Sequence, residues 1–197
     1  MKKQALGILF ACSVLFGCSN SSNESNVLNM NSTRSLLTSC IDNHNETSCR
    51  VLFRAINEDA GKTYGELNHL CSYENNISSC SLLATSSQST KENKLIYAKK
   101  ACDLDNSKCD LVAKQYFNYE PVSSDEYDKA EYYYNLQYEG FKKKNDNLGM
   151  VSALLSIKNI YDSKQDKVTA KKFSNKACSL VDYSDPKFHY IISHYCK

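Results

Sequence analysis

The chain has 197 residues, with 24 Lys and Arg against 22 Asp and Glu and a formal net charge of +2. That near-neutral balance excludes a general electrostatic pull toward nucleic acid or anionic lipid. Six glycines and two prolines argue against a fold built on tight β-turns, and ten cysteines mark either a disulfide framework or a metal-ligand set.

The N-terminus is the first predicted element. Met1-Lys2-Lys3 precede an apolar run from Ala5 to Phe16, and the run closes on Leu15-Phe16-Gly17-Cys18. A charged start, a short apolar core and a small residue before the cut read as a secretory signal over residues 1–17. The run is too short to cross a membrane as a helix. Leu-Phe-Gly-Cys resembles a bacterial lipobox, which implies that Cys18 is acylated and becomes the mature N-terminus. Several acyl chains on one residue meet the two-signal requirement for stable anchoring. The alternative is ordinary signal cleavage near the same point, leaving Cys18 as an odd thiol. Ser19 resembles the residue that accompanies default routing to the outer membrane. The expected location is thus the bacterial cell envelope, lipid-anchored at the outer membrane and facing the periplasm or the surface. Residues 18–34 follow as a polar, low-complexity tether rich in Ser and Asn. As a flexible coil it spans roughly 20–24 Å.

From residue 35 to 197 the pattern is helical and repetitive. Cys40/Cys49, Cys71/Cys80 and Cys102/Cys109 form close pairs, with first members 31 residues apart. Similar text follows each second cysteine: Cys49-Arg-Val-Leu-Phe, Cys80-Ser-Leu-Leu-Ala and Cys109-Asp-Leu-Val-Ala. A fixed period of this size predicts a solenoid of stacked units. Cys49, Leu52, Phe53 and Ile56 share one helical face, as do Cys109, Val112, Ala113 and Tyr116. Each helix is expected to begin at the second cysteine of its pair, capped by Thr47-Ser48, Ser78-Ser79 or Ser107. The first cysteine ends the preceding helix, so each pair spans a turn between antiparallel neighbours, where a disulfide fits. A bridge of this span contributes roughly 2–3 kcal/mol in the chain-entropy model.

Setting aside Cys12 with the signal and Cys18 with the lipid leaves eight cysteines, an even number suited to an exported disulfide framework. The spacings lack the C-x2-C of zinc ribbons, so no metal or other cofactor is expected. Cysteines fail to recur around Tyr138 and Gly149, where Tyr127, Ala130, Tyr134, Phe141, Val151, Leu154, Leu155, Ile157 and Ile160 offer packing in their place. Cys178 has Cys196 as its unassigned partner. An ideal last helix from Ser184-Asp185-Pro186 would carry Cys196 about 10 Å too far, so either that turn is irregular or Cys196 pairs elsewhere.

Tyr161, Asp166, Ala170 and Lys176-Ala177-Cys178, within ALLSIKNIYDSKQDKVTAKKFSNKACSL, resemble the Sel-like repeat, a relative of the tetratricopeptide repeat. IYAKKACDLDNSKCDLVAKQY and KKFSNKACSL resemble its cysteine-rich bacterial branch. The resemblance covers about residues 36–197. It implies αα-hairpins with disulfides between consecutive units, and it raises penicillin binding or weak β-lactam hydrolysis as an activity. Ser184-Asp185-Pro186-Lys187 is a Ser-x-x-Lys sequence, but no Lys-Thr-Gly accompanies it, and Ser or Asp before Pro at a helix start suits a cap. His44, His69, His189 and His194 form no ligand pair.

Tyr132-Tyr133-Tyr134 cannot all face inward on a helix, so at least one is expected at the surface. Tyrosine supplies large contact area at small entropic cost. The cluster is therefore the candidate partner-binding site, with ordinary interhelical packing as the alternative. The Lys142-Lys143-Lys144 run reads as a solvated helix end. The expected fold is all-α, a right-handed superhelix of about four to five αα-hairpins. The favoured role is non-enzymatic: a scaffold binding a protein or peptide of the envelope through its concave face. A β-lactam- or peptidoglycan-directed protein and an inhibitor or immunity-like lipoprotein are the alternatives.

Overall fold

The computed structural model describes residues 30–43, 45–58, 60–117 and 123–196. Residues 1–17, Cys18, His44 and most of the tether lie outside them. Among the described residues there are ten α-helices and no strand. In chain order they are α1 (Met30–Leu37), α2 (Glu46–Glu58), α3 (Ala60–Glu74), α4 (Ile77–Thr85) and α5 (Lys91–Leu104). Then come α6 (Asp110–Tyr116), α7 (Ser124–Lys143), α8 (Asn147–Ser163), α9 (Lys167–Cys178) and α10 (His189–Tyr195). Each packs against the next in the chain. No helix among the described residues is long and apolar enough to cross a membrane.

Helix α1 overlaps the stretch read as tether, so the described helical body already includes Met30–Arg34, ahead of residue 35. Thr33 explains the difference. It is buried, and its hydroxyl donates to Glu66 of α3, while Arg34 pairs with Glu74. A polar side chain with a partner can enter the core, so composition alone misplaced the boundary.

Among the described residues four disulfides form: Cys40–Cys49, Cys71–Cys80, Cys102–Cys109 and Cys178–Cys196, with Cα separations of 4.6, 4.9, 4.4 and 5.5 Å. The last resolves the open alternatives for Cys196 in favour of an irregular turn. The chain leaves α9, makes a 3-10 turn at Pro186–Phe188 and a seven-residue α10, and ends that helix at Cys196. No long final helix forms, so Cys196 stops beside Cys178.

The helix starts differ from expectation. The capping side chain is an Asx residue four positions before the second cysteine, not the Ser or Thr next to it. Asn45 Oδ1 accepts from the Ser48 amide at 2.9 Å, Asn76 Oδ1 from Ser79 at 2.8 Å, and Asp105 Oδ1 from Ser107 at 2.9 Å. Cys49 and Cys80 thus sit one turn inside α2 and α4, and Cys109 immediately precedes α6. A carboxylate or amide oxygen reaches the free N2 and N3 amides, and those orphan donors set the cap.

The same frame explains the turns without cysteines. Asp146 caps α8 through the Gly149 amide and Asp166 caps α9 through Thr169. Each follows a residue at positive φ, Asn145 (54°) and Gln165 (62°), as Asn76 follows Asn75 (54°). Counted from the cap, Cys71 stands five before and Cys80 four after. The corresponding residues are Phe141 and Met150 at one turn, Tyr161 and Ala170 at the other. Met150 and Ala170 are buried as Cys80 is. Apolar and aromatic side chains therefore stand at the staple positions in the second half.

The core follows this division. One cluster, from Leu37 to Val112, includes the buried sulfurs of Cys40, Cys71, Cys80, Cys102 and Cys109. Two further clusters, around Tyr134 and Ile157 and around Leu154 and Ile191, contain no buried cysteine. Cys71, Cys80, Cys102 and Cys109 are at most 2% exposed, whereas Cys178 and Cys196 are half-buried. Access controls thiol exchange. Limiting reductant is therefore expected to open Cys178–Cys196 before Cys71–Cys80 and Cys102–Cys109, as read by alkylation and peptide mass mapping. Earlier opening of the two central bridges would contradict this packing.

Candidate functional site

Alternate helices lie side by side and are joined by polar side chains. Between α3 and α5, the Tyr97 hydroxyl donates to Asn68 Oδ1 at 2.9 Å and Lys100 Nζ donates to the Ser72 carbonyl at 2.6 Å. At the C-terminal ends of α5 and α7, Lys144 Nζ reaches Asp105 at 2.7 Å and Ser107 at 2.8 Å. Between α7 and α9, Lys176 Nζ lies 4.5 Å from the Tyr138 ring centroid. Lys144 is thus a tie between helices, whereas Lys142 and Lys143 are exposed as the sequence suggested. Burial alone would raise the Asp105 carboxyl. The Lys144 ammonium and the Ser107 amide outweigh it and hold the group below its usual range. That contribution is present above the ordinary carboxylate value and is lost as pH falls through the folded one.

Several of the tyrosines serve such ties. The Tyr161 hydroxyl donates to both Glu131 oxygens at 2.9 and 3.0 Å, and its ring stacks on Phe173. Burial, then the Glu131 carboxylate, pushes its pKa up to about 12. Lys164 Nζ sits over the Tyr127 and Tyr161 rings and pairs with Asp128 at 2.8 Å. These groups fix α7 against the turn between α8 and α9.

The three consecutive tyrosines separate sharply. Tyr132 is 58% exposed. Tyr133 is half-buried and stacks on Tyr116, with ring centroids 6.1 Å apart. Tyr134 is buried in the cluster with Ile157 and Ile160. Tyr134 is therefore a core residue and cannot meet a partner; Tyr132 is the surface residue of the three.

Tyr132 also belongs to a row. It precedes the buried Tyr134 by two positions, so it points about 200° away from the core. Ile96 stands in the same relation to buried Ala98, and Val168 to buried Ala170. Ile96 and Val168 are 60% and 69% exposed. The register aligns the three. Lys91 of α5 lies near Glu126 of α7, and Lys164 before α9 meets Asp128 of α7. Those offsets of 35 and 36 residues, with 39 for Lys144 and Asp105 and 38 for Lys176 and Tyr138, bracket the 36 between Ile96, Tyr132 and Val168. Gly65 occupies the row on α3, two before buried Leu67. The outward side of α5, α7 and α9, called the open face below together with that of α3, thus carries Ile96, Tyr132 and Val168. Ile96 and Val168 escaped the sequence reading because single exposed aliphatics are ordinary; their 36-residue recurrence was the available signal.

The other candidates are placed in ordinary roles. The Ser184 hydroxyl donates to Asp182 Oδ1 at 2.6 Å, and Asp185 caps the following turn by accepting from the Lys187 amide at 2.9 Å. His69 lies against Tyr73, and His194 against Tyr190. Among the described residues no group of three or more His, Cys, Asp or Glu side chains is placed to hold a metal. No family model, curated protein or solved structure matches the chain.

Proposed function

We propose that this chain is a lipid-anchored scaffold of the bacterial envelope, a Sel-like helical repeat array that binds a protein or peptide partner on its open face. The exposed row of Ile96, Tyr132 and Val168 carries the reading. Consecutive helices pack in chain order while alternate helices touch side by side, the arrangement expected of a solenoid. Such an array presents an extended surface, and a large aromatic at its centre is the residue type that dominates binding energy. The sequence over residues 1–18 supplies the anchor, and residues 19–29 hold the array off the membrane.

A pull-down of the acylated protein from crosslinked cell envelopes tests this. Tyr132→Ala is expected to weaken partner recovery by about 30-fold, the effect of losing a central aromatic anchor, with an unchanged circular dichroism spectrum. Full retention of the partner by a folded variant lacking Ile96, Tyr132 and Val168 side chains would overturn the reading.

A further inference from the structure

The charge on the open face is uneven. On α7 it is mixed, with exposed Asp125 and Glu139 beside Lys129 and Lys143. On α9 it is wholly basic: no acidic residue occurs between Lys167 and Val181. Two of the four α9 lysines are engaged, Lys167 with Asp162 at 3.2 Å and Lys176 over the Tyr138 ring. Lys171 and Lys172 are exposed and form no ion pair among the described residues. The nearby Asp166 carboxylate accepts from the Thr169 amide at 3.0 Å, and Lys172 acts on it only as a smaller, through-space charge. A shallow depression of ≈ 450 Å³ runs along this face, lined by Lys167, Val168, Lys171, Lys172 and Asn175.

We infer that α9 is the acid-reading end of the open face: it takes a carboxylate-rich peptide segment of the partner, an apolar side chain on Val168 and flanking Asp or Glu on Lys171 and Lys172. This rests on the scaffold reading and adds the chemistry of the partner. Lysines act as flexible point charges and lack the planar fork of arginine, so the site selects negative charge more than a fixed bidentate geometry. A depression with Val168 among lysines suits a segment alternating apolar and acidic side chains. An anionic bilayer is the competing source of negative charge. A flat surface pressed on this face would also meet Asp125 and Glu139 of α7 and be repelled there, whereas a narrow segment can engage α9 alone.

The test uses a fluorescent peptide of alternating Glu and Leu, its Gln counterpart, and vesicles of phosphatidylcholine with phosphatidylglycerol. Fluorescence anisotropy of the mature protein is expected to show the Glu peptide bound at least about tenfold more tightly than the Gln peptide, with affinity falling as salt rises. The double variant Lys171→Glu/Lys172→Glu is expected to lose at least about tenfold for the Glu peptide. Both substitutions are on an exposed face, and an unchanged thermal unfolding midpoint verifies folding. Equal binding of the two peptides, or unaltered binding by the double variant, overturns the inference. Vesicle binding that needs Lys171 and Lys172, with no peptide binding, overturns it in favour of a membrane surface. In the envelope pull-down, loss of partner in Tyr132→Ala but full retention in the lysine double variant keeps the scaffold reading and removes this one. Retention in both removes this inference, and retention by the variant lacking Ile96, Tyr132 and Val168 side chains removes the scaffold reading with it.

Discussion

Gly140→Ala is expected to destabilise the protein by about 2 kcal/mol or more, although the substitution alone would favour an exposed helix by about 1 kcal/mol. Gly140 is buried on α7 against the Asn106–Lys108 turn. A Cβ there would lie 2.5 Å from the Ser107 amide nitrogen and 2.7 Å from the Asn106 carbonyl carbon. Those atoms are backbone and cannot swing aside. The turn is held by the Cys102–Cys109 bridge, by Asp105 accepting from Ser107, and by Lys144 and Gln137 reaching across from α7. Gly149 is the informative contrast. A Cβ there would meet the Phe141 ring at 2.3 Å, but a half-buried side chain can rotate. Gly149→Ala should cost less than Gly140→Ala. Chemical denaturation measures both. If the anchored turn is the cause, Gly140→Ala costs less in a Cys102→Ala/Cys109→Ala background, where the turn can yield. An equal cost in both backgrounds would place the clash elsewhere.

Removing the Cys71–Cys80 bridge as a pair of alanines is expected to cost about 3 kcal/mol. The bridge spans a sequence separation of 9, for which chain entropy gives about 2–3 kcal/mol. Loss of two fully buried sulfurs from the first core cluster adds to it. Helices α2 to α4 bury few large apolar side chains apart from these sulfurs and Leu52, Ile56, Leu67, Leu70 and Leu83. Removing the longer Cys178–Cys196 loop should act differently. Its separation of 18 gives about 3 kcal/mol by the same entropy argument, but the unit it ties down is the short α10, held also by Phe188 and Ile191. Hydrogen exchange should therefore show early opening confined to α10 in that variant and a loss of global protection in Cys71→Ala/Cys80→Ala. The same exchange pattern in both variants would contradict the division between a stapled and a packed half.

Much of this architecture is legible in residue types. Cysteines recur at a fixed spacing, and their period agrees with helical apolar stripes, so the all-helical fold and the close pairs follow directly. The caps were misread because Ser and Thr beside the cysteines look like N-caps, while Asn45, Asn76 and Asp105 lie a full turn earlier. Once Asx caps define the frame, Phe141/Met150 and Tyr161/Ala170 take the cysteine positions. No residue-type match could reveal that, because one replacement pair is aromatic and thioether and the other aromatic and methyl. Tyr134 stood both in the apolar stripe and in the surface cluster because a run of three tyrosines gives no phase; the buried Ala130, four residues earlier on the same face, fixes it. The α1 start was hidden by Thr33 and Arg34, polar residues whose partners Glu66 and Glu74 are more than thirty positions away.

The proposal that the open face binds a partner is tested most directly by site-specific photo-crosslinking in living cells. A photoreactive residue would be placed in turn at Ile96, Tyr132 and Val168, and at Tyr183 and Tyr190 as equally exposed positions outside that face. The account predicts one shared adduct from the first three positions and none of that mass from the last two. Adducts from Tyr183 or Tyr190 alone, with the open-face row silent, would contradict it.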